Sequence, residues 1–356
     1  MKKSLLTLAI TAAVAVPASA STAISGGIWV THQNELEKNA KYDDATNGVT
    51  TGEALILYID HKQEDSNWQL SSEWRTGPGS FSDAANNTTG DTSGFHKLWV
   101  GYNFSEDRQL LLGKSSVPFG KPTLNFWPGA LGLAGYDDQM DVGVKFSDKM
   151  GALSYDAAFY VSDDFGATST DTHDDNGAWG TSATYRKVNT GVLNVGFDVA
   201  KGSTIGASYQ KGELEDLTAG RDVTDTTIGG HDAWNVWYEG QYGNLGVVAQ
   251  VLGTNREGVD KVGGASDEIK SMRHALTLSY GMGPLTAYVD YTGASTDTDG
   301  NEAADHYAWA PGVSYNYGPG WFYVEYLNSK NGITDGDVTG DGSKYSALYL
   351  TVDYYF

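Results

Sequence analysis

The sequence predicts an all-β protein, a transmembrane antiparallel up-and-down β-barrel of about sixteen strands within a range of roughly fourteen to eighteen. Three observations lead to this class. Apolar and polar residues alternate in short segments along the chain, long and short connections follow one another in turn, and no stretch repeats its apolar residues with the helical period of about 3.6. An apolar content of 40% with 45 glycines fits a chain in which every second strand residue is apolar.

The strands are assigned from the alternation, because neighbouring side chains of a β-strand point to opposite faces. Segment 55–59 also predicts a strand, although it is apolar on both faces. Three alternating stretches, 178–187, 192–200 and 204–212, occur where the strand count requires two. Either an extra hairpin or one long bulged strand explains them. The clearest alternating segments are 68–74, 98–104, 140–146, 153–161, 193–199, 234–242, 245–251, 276–280, 285–291, 321–327 and 348–356.

The connections between these segments are of two lengths. The tight connections are 63–66, 105–107, 147–151, 243–244, 281–284 and 318–320. The long, mostly polar connections are 33–50, 78–93, 115–138, 163–177, 214–231, 253–270, 293–305 and 328–343. Regular alternation of short and long connections is typical of barrels with short periplasmic turns and long external loops, and it favours them over a soluble sandwich.

The N-terminal segment has the features of a secretory signal peptide. Lys2 and Lys3 precede an apolar run, and Ala18-Ser19-Ala20 provides a cleavage site of small residues. We therefore expect residues 1–20 to be removed and the exported domain to comprise residues 21–356. The chain has no cysteine and a formal charge of −22, so it has no disulfide framework, and nucleic acid is excluded as a partner.

The C-terminal segment places its apolar residues on one face and ends on an aromatic residue. These residues are Leu348, Leu350, Val352, Tyr354 and Phe356. The pattern resembles the last strand of Gram-negative outer-membrane β-barrel proteins. The resemblance implies location in the cell outer membrane, recognition by the barrel assembly machinery, and contact with lipid and lipopolysaccharide. The alternative is a soluble β-sandwich that ends on phenylalanine.

If the apolar residues face lipid, their polar neighbours face the lumen. The predicted inward acids are Asp60, Glu73, Asp141, Asp156, Asp198, Glu239, Asp290, Glu325 and Asp353, and the predicted inward bases are Arg75, Lys97, Lys145, Arg186 and Arg273. Burying so many charges in a dry interior would cost several kcal/mol for each unpaired ion, whereas a water-filled lumen removes that cost. The inner face therefore predicts a channel.

The connection at 115–138 is unusually apolar and predicts a constriction loop that packs against the inner wall. In position it resembles the third external loop of sixteen-stranded porins, and the stretch "LLLGKSSVPFGKP" resembles a segment of the phosphate-selective porin O/P group. The alternative is a loop that folds over the outside or packs on a neighbouring subunit. The charges assigned to the pore are Lys114, Lys121, Asp137, Asp138, Glu73, Arg75, Arg186, Arg273, Glu239 and Glu325.

Together these features resemble a general diffusion porin, which passes small hydrophilic solutes and ions by sieving and electrostatic bias. The excess of inward acids predicts a weak cation preference. The resemblance also implies a homotrimer, although no stretch identifies a subunit interface. The alternatives are a channel selective for sugars or for anions such as phosphate, an outer-membrane barrel enzyme, and a surface adhesin.

The sequence gives no motif for catalysis, a cofactor or a metal. None of its seven histidines lies in a G-x-S-x-G or H-E-x-x-H pattern. We therefore expect a non-enzymatic protein without a cofactor. Acidic loops such as 297–302 are expected to be solvated, with divalent ions bridging them to lipopolysaccharide as a second alternative.

Overall fold

The computed structural model describes residues 20–37, 49–77, 92–125, 140–163, 165, 185–216, 227–257, 268–298, 301–302, 306–330, 333–334, 337–338 and 344–356. Within these ranges no helix is long and apolar enough to cross a bilayer. Of the leader 1–20, only Ala20 belongs to the described residues, and its removal stays a prediction. Most of each long external connection, except 293–305, also lies outside these ranges.

Sixteen long strands form the described fold. They are β1 Ala20–Glu37, β2 Val49–Gln63, β3 Trp68–Gly77, β4 Thr92–Asn103, β5 Gln109–Ser116, β6 Met140–Met150, β7 Leu153–Ser162, β8 Tyr185–Ala200, β9 Ser203–Asp216, β10 Thr227–Tyr242, β11 Leu245–Glu257, β12 Glu268–Met282, β13 Leu285–Thr298, β14 His306–Asn316, β15 Trp321–Lys330 and β16 Lys344–Tyr355. Asn301–Glu302 adds two residues beside β13, and Ile333–Thr334 pairs with Asp337–Val338.

The strands form a closed antiparallel barrel in which each strand pairs with the next one in sequence. β1 pairs with β2 and also with β16, so the first and last strands close the sheet. Closure gives every strand two partners, which removes the unpaired edges that would be costly in lipid. The predicted all-β up-and-down barrel with sixteen strands is therefore confirmed.

The ambiguous region before residue 213 forms one long bulged strand and its partner. The 16-residue strand β8 pairs with β9, and its register shifts between Val188 and Gly191. Asn189, within this shift, has φ 48°. The extra residue of a bulge breaks strict alternation. The described part of the first alternating stretch, 185–187, and the second stretch, 192–200, therefore belong to one strand, whereas residues 178–184 lie outside the described residues.

The outer face is apolar, and aromatic residues gather near the tight turns. Side chains such as Ile28, Val236 and Val324 are about half exposed on this face. Near one end, rings contact one another across the span from β3 to β7, with centroids 5.0 to 6.4 Å apart; the rings belong to Trp68, Tyr102, Phe104, Phe146 and Tyr155. An apolar band with an aromatic girdle is the outer surface that a transmembrane barrel requires.

Candidate pore constriction

The chain enters the lumen directly after β5. Residues 117–125, which we call the strap, bury Val117 and Phe119 on the inner wall to 8% and 3% exposure. These two side chains join a buried apolar cluster from β7, β8, β10, β11 and β12, whose members are Tyr160, Val192, Ala233, Leu252 and Ala275. Burial of one such side chain contributes about 1.5–3 kcal/mol. The strap is therefore seated on an apolar part of an otherwise polar wall.

The middle of the strap is fixed to β11 by a reciprocal pair of hydrogen bonds. The backbone N–H of Lys121 donates to Gln250 Oε1 at 3.0 Å, and Gln250 Nε2 donates to the Lys121 carbonyl at 2.7 Å. Asn235 of β10 also donates to Gln250 Oε1, at 3.3 Å. One glutamine side chain thus replaces the partner strand that this backbone segment lacks.

The far part of the strap is fixed by the carboxylate of Asp290 on β13. Asn125 donates to Asp290 Oδ2 from its backbone N–H at 2.8 Å and from its side-chain amide at 2.7 Å. The N–H of Leu124 donates to the same carboxylate at 3.2 Å, and the hydroxyl of Thr277 donates to it as well. Asp290 is only 2% exposed, so these donors offset the cost of burying its charge.

Lys121 brings the charge of the strap to the inner wall. Its Nζ lies 2.6 Å from Glu239 Oε2 on β10 and 4.1 Å from the ring centroid of Trp237. Trp237 in turn lies over Gly206 of β9, where an added Cβ would come within 2.2 Å of the indole ring. The lysine is therefore held by an ion pair and a cation–π contact, and the side chain of Glu239 keeps 52% exposure.

A second charged pair lies on β3, away from the strap. Arg75 NH2 approaches Glu73 Oε1 at 2.6 Å, and the side chains keep 12% and 9% exposure. The guanidinium also lies 5.2 Å from the ring centroid of Trp29 on β1. In a closed barrel of sixteen strands, β1 and β3 lie across the lumen from β9 to β11. The predicted residues therefore form two separate pairs, one at each side of the lumen.

Two further predicted residues are almost inaccessible. Arg273 on β12 is completely buried and donates from Nε to Ser271 Oγ at 3.2 Å. Glu325 on β15 is 1% exposed and accepts a hydrogen bond of 2.7 Å from the hydroxyl of Tyr288. Both lie on the inner face, but solutes in the lumen do not reach them directly.

The remaining predicted charges need correction or lie outside the described residues. Lys114, assigned to the pore, is part of β5 and is completely buried, and β5 continues to Ser116, so the connection begins two residues later than predicted. In β8 the bulge shifts the alternation by one residue, so position 187, paired with the buried Leu214, lies on the inner face in place of position 186, the predicted Arg186. Asp137 and Asp138 lie outside the described residues.

Residues that the sequence reasoning did not assign to the pore hold the strap or add buried charge. Gln250 and Trp237 follow the inward phase of their strands but have no charge, so a search for charged residues passes over them. Lys187 and Arg256 are 1% and 0% exposed. The inward position of Lys187 could not be predicted, because the bulge in β8 breaks the alternation. The inward position of Arg256 could have been predicted by continuing the alternation of β11 beyond its apolar segment.

The predicted assembly signal forms the outer face of β16. Leu350, Tyr354 and Phe356 keep 41%, 48% and 60% exposure. Leu348 and Val352 share this face. From Leu348 onward this face is apolar, and it is directed to the lipid side.

A closed sixteen-stranded barrel with an apolar outer face, a charged inner face and an internal strap is the architecture of outer-membrane porins. The fold of the outer membrane channel DcaP of Acinetobacter baumannii is similar, with 14% identity, a TM-score of 0.64, and coverage of 96% of this chain and 99% of that one. OmpF of Salmonella typhi, solved in complex with daunomycin, has 13% identity and a TM-score of 0.63, with coverage of 95% and 98%.

An anion-selective porin from Comamonas acidovorans is also similar, with 12% identity, a TM-score of 0.59, and coverage of 95% of this chain and 100% of that one. No protein-family model matches the chain, and no curated protein matches it. At these identities the likeness establishes the porin fold, and the activity has to be argued from the residues of this chain.

Proposed function

We propose that the protein is an outer-membrane porin, through which small hydrophilic solutes and ions diffuse passively. The observation that carries this proposal is the contrast between the two barrel faces. The outer face exposes apolar side chains suited to lipid, whereas the inner face carries hydroxyls, amides and both signs of charge. A sixteen-stranded barrel is wide enough to hold water around such groups.

The strap supports a sieving mechanism. It crosses the inner face of β9 to β13 and is attached there by the Lys121–Gln250 hydrogen bonds and by Asp290. A segment fixed at the wall narrows the lumen without closing it, so pore width sets which solutes pass. We propose that the connection 115–138 forms the constriction, with the Lys121–Glu239 pair at its margin.

The exposed charges support a weak preference for cations. Glu239 and Asp60 are exposed on the inner face, whereas Arg273, Arg256 and Lys187 are almost completely buried. The acids Asp290, Glu325 and Asp353 are buried as well, so the proposed preference depends on Glu239 and Asp60. Exposed carboxylates raise the local concentration of cations where low-dielectric walls limit screening. Lys121, with 26% of its side chain exposed, opposes this effect.

The location and the partners follow from the same proposal. The chain would lie in the outer membrane, contact lipid and lipopolysaccharide, and be inserted by the barrel assembly machinery through its last strand. A homotrimer is part of the proposal; the Vibrio cholerae outer membrane protein OmpT, solved in a trimer form, shares 13% identity and a TM-score of 0.61 with this chain. On this proposal the protein is a channel and not an enzyme.

Planar bilayer recording of the purified chain tests both parts of the proposal. We expect discrete conductance steps of nanosiemens order in KCl. In a KCl gradient the reversal potential should have the sign of a weak cation preference. Folded protein without conductance would contradict the channel. A clear anion preference would keep the channel but overturn the proposed selectivity.

A further inference from the structure

The lumen wall around the barrel closure carries a group of aromatic side chains. Four consecutive strands contribute to it, since β15 precedes β16, which pairs with β1, which pairs with β2. Its members lie on the inner phase of their strands, because the alternate positions, such as Phe322, Tyr354 and Ile28, are exposed on the lipid side. We call this set the ring patch; it consists of Trp321, Tyr323, Tyr355, Trp29 and Tyr58.

Direct contacts join three of the rings, and charged groups lie against two of the five. Trp29 Nε1 donates to the hydroxyl of Tyr355 at 3.0 Å, and the rings of Trp321 and Tyr355 meet edge to face with centroids 6.0 Å apart. Arg75 lies over Trp29 at 5.2 Å, and Lys97 Nζ lies 6.0 Å from the centroid of Tyr58. The patch therefore combines ring surfaces with phenol hydroxyls and cations.

The ring patch differs from the wall that carries the strap. There the inward rings are covered, since Tyr160 is 1% and Trp237 is 5% exposed. Each member of the ring patch remains partly exposed. Contact of apolar ring surface with water is unfavourable. Serine, threonine or glutamine would be sufficient for a wall that contacts only water. The partly exposed rings therefore indicate contact with a solute that covers them.

We propose that the ring patch is a binding subsite for saccharides, and that the channel therefore favours ring-shaped polyhydroxylated solutes over open-chain ones. The C–H face of a sugar ring stacks on an aromatic ring through dispersion and weak C–H contacts. Its hydroxyls find donors and acceptors in the phenols of Tyr58 and Tyr355 and in Arg75 and Lys97. Glu73 already neutralises Arg75, so the patch suits a neutral polar solute better than an ion.

This inference rests on the proposed channel function, and one set of recordings separates the two. Maltotriose is added to wild-type channels in planar bilayers, and current blockade and its noise are measured against concentration. We expect saturable blockade by maltotriose and none by the open-chain polyol sorbitol at equal concentration. Trp29→Ala and Tyr58→Ala should each weaken the apparent affinity about tenfold, in line with the loss of a stacking partner.

Two control variants make the outcome specific. Trp309→Ala removes a ring from the lipid face of β14, where Trp309 is 39% exposed, and should leave the blockade unchanged. Tyr58→Phe keeps the ring and should lose less affinity than Tyr58→Ala. All variants are compared only as heat-modifiable, conducting barrels.

A conducting wild-type channel without maltotriose blockade overturns the saccharide subsite and leaves the porin proposal in place. Equal affinities for wild type, Trp29→Ala and Tyr58→Ala also overturn it, since binding then occurs elsewhere. Absence of any conductance in KCl overturns the channel itself.

Discussion

Phe356 and Gly26 complete the barrel closure by exchanging two backbone hydrogen bonds. The N–H of Phe356 donates to the Gly26 carbonyl at 2.9 Å, and the N–H of Gly26 donates to the Phe356 carbonyl at 3.0 Å. The ring of Phe356 covers Gly26, while on the inner face the ring of Tyr355 covers Gly27. A Cβ at either glycine would come within 2.6 Å of the ring that covers it. Two adjacent glycines thus let one aromatic residue pack on each face at the point of closure.

Gly26→Ala should destabilise the barrel by about 1–3 kcal/mol through overpacking. Its Cβ would lie 2.6 Å from the carbonyl oxygen of Ile56, a backbone atom that cannot rotate away. The thermal midpoint of the folded band in heat-modifiability gels measures the effect. Gly281→Ala is the matched control, because the nearest atom to its Cβ is 4.0 Å away. An equal loss in both variants would show that closure geometry is not the cause.

Phe356→Asp should lower the amount of folded protein in the outer membrane, whereas Phe356→Trp should keep it near wild type. The side chain is 60% exposed on the lipid face, where a charge costs about 2–4 kcal/mol at the bilayer midplane and less near the interface. Because Phe356 is near the interface, most of the loss should come from poorer recognition during assembly. Quantitative immunoblots of membrane fractions decide this. Equal levels of the two variants would argue against an aromatic requirement.

Asp290→Ala should release the strap and raise single-channel conductance. The substitution leaves the N–H groups of Leu124 and Asn125 without their acceptor, and each lost hydrogen bond to a charged group is worth about 1.5–3 kcal/mol. Limited proteolysis should then cut within residues 117–125. Glu325→Gln is the control, since Glu325 is as deeply buried but is bound by Tyr288. If Asp290→Ala conducts like wild type and resists protease, this anchor does not hold the strap.

Lys121→Glu should strengthen cation selectivity, measured as a shift of the reversal potential in a KCl gradient. The change replaces the cation beside Glu239 by a second carboxylate at the margin of the strap. Lys149→Glu makes the same charge change at the end of β6, where Lys149 pairs with Asp198. Charges further than about 8 Å away are screened at physiological salt, so this control should have a smaller effect. A larger shift for Lys149→Glu would place the selective charges elsewhere.

Protein recovered from outer membranes should begin at Ser21. The small residues Ala18 and Ala20 define the cleavage site, and strand pairing of the described chain begins at Ala20. Intact-mass measurement distinguishes the processed from the unprocessed chain. A mass that includes residues 1–20 would refute the signal-peptide assignment.

The barrel class could be predicted from sequence because alternation is a local property. Each strand displays its own apolar face, and the alternating connection lengths give the strand number without knowledge of any long-range contact. The exception is β8, where the bulge at Asn189 divides one strand into two patterns and moves the inward cation from position 186 to position 187. A single inserted residue changes the facing of every residue beyond it.

The attachment of the strap could be predicted only in part. Its apolar content indicated contact with a wall, but the partners Gln250 and Asp290 are 129 and 165 residues further along the chain. No local pattern identifies an uncharged glutamine as an anchor, and the alternation that places Asp290 on the inner face does not reveal what it binds. These partners can be identified only when the register of the five strands β9 to β13 is known.

The position of those anchors links the attachment of the strap to the pairing of strands that follow it in the sequence. Residues 117–125 precede β9 to β13 in the sequence. The strap therefore has no partners for its hydrogen bonds until these later strands are in place. Contacts between residues far apart in sequence form late, because the intervening chain must first be ordered. Val117 and Phe119 therefore lack the β10, β11 and β12 members of their apolar cluster until those strands are paired. The constriction can therefore be complete only when the strands of the second half of the barrel are paired.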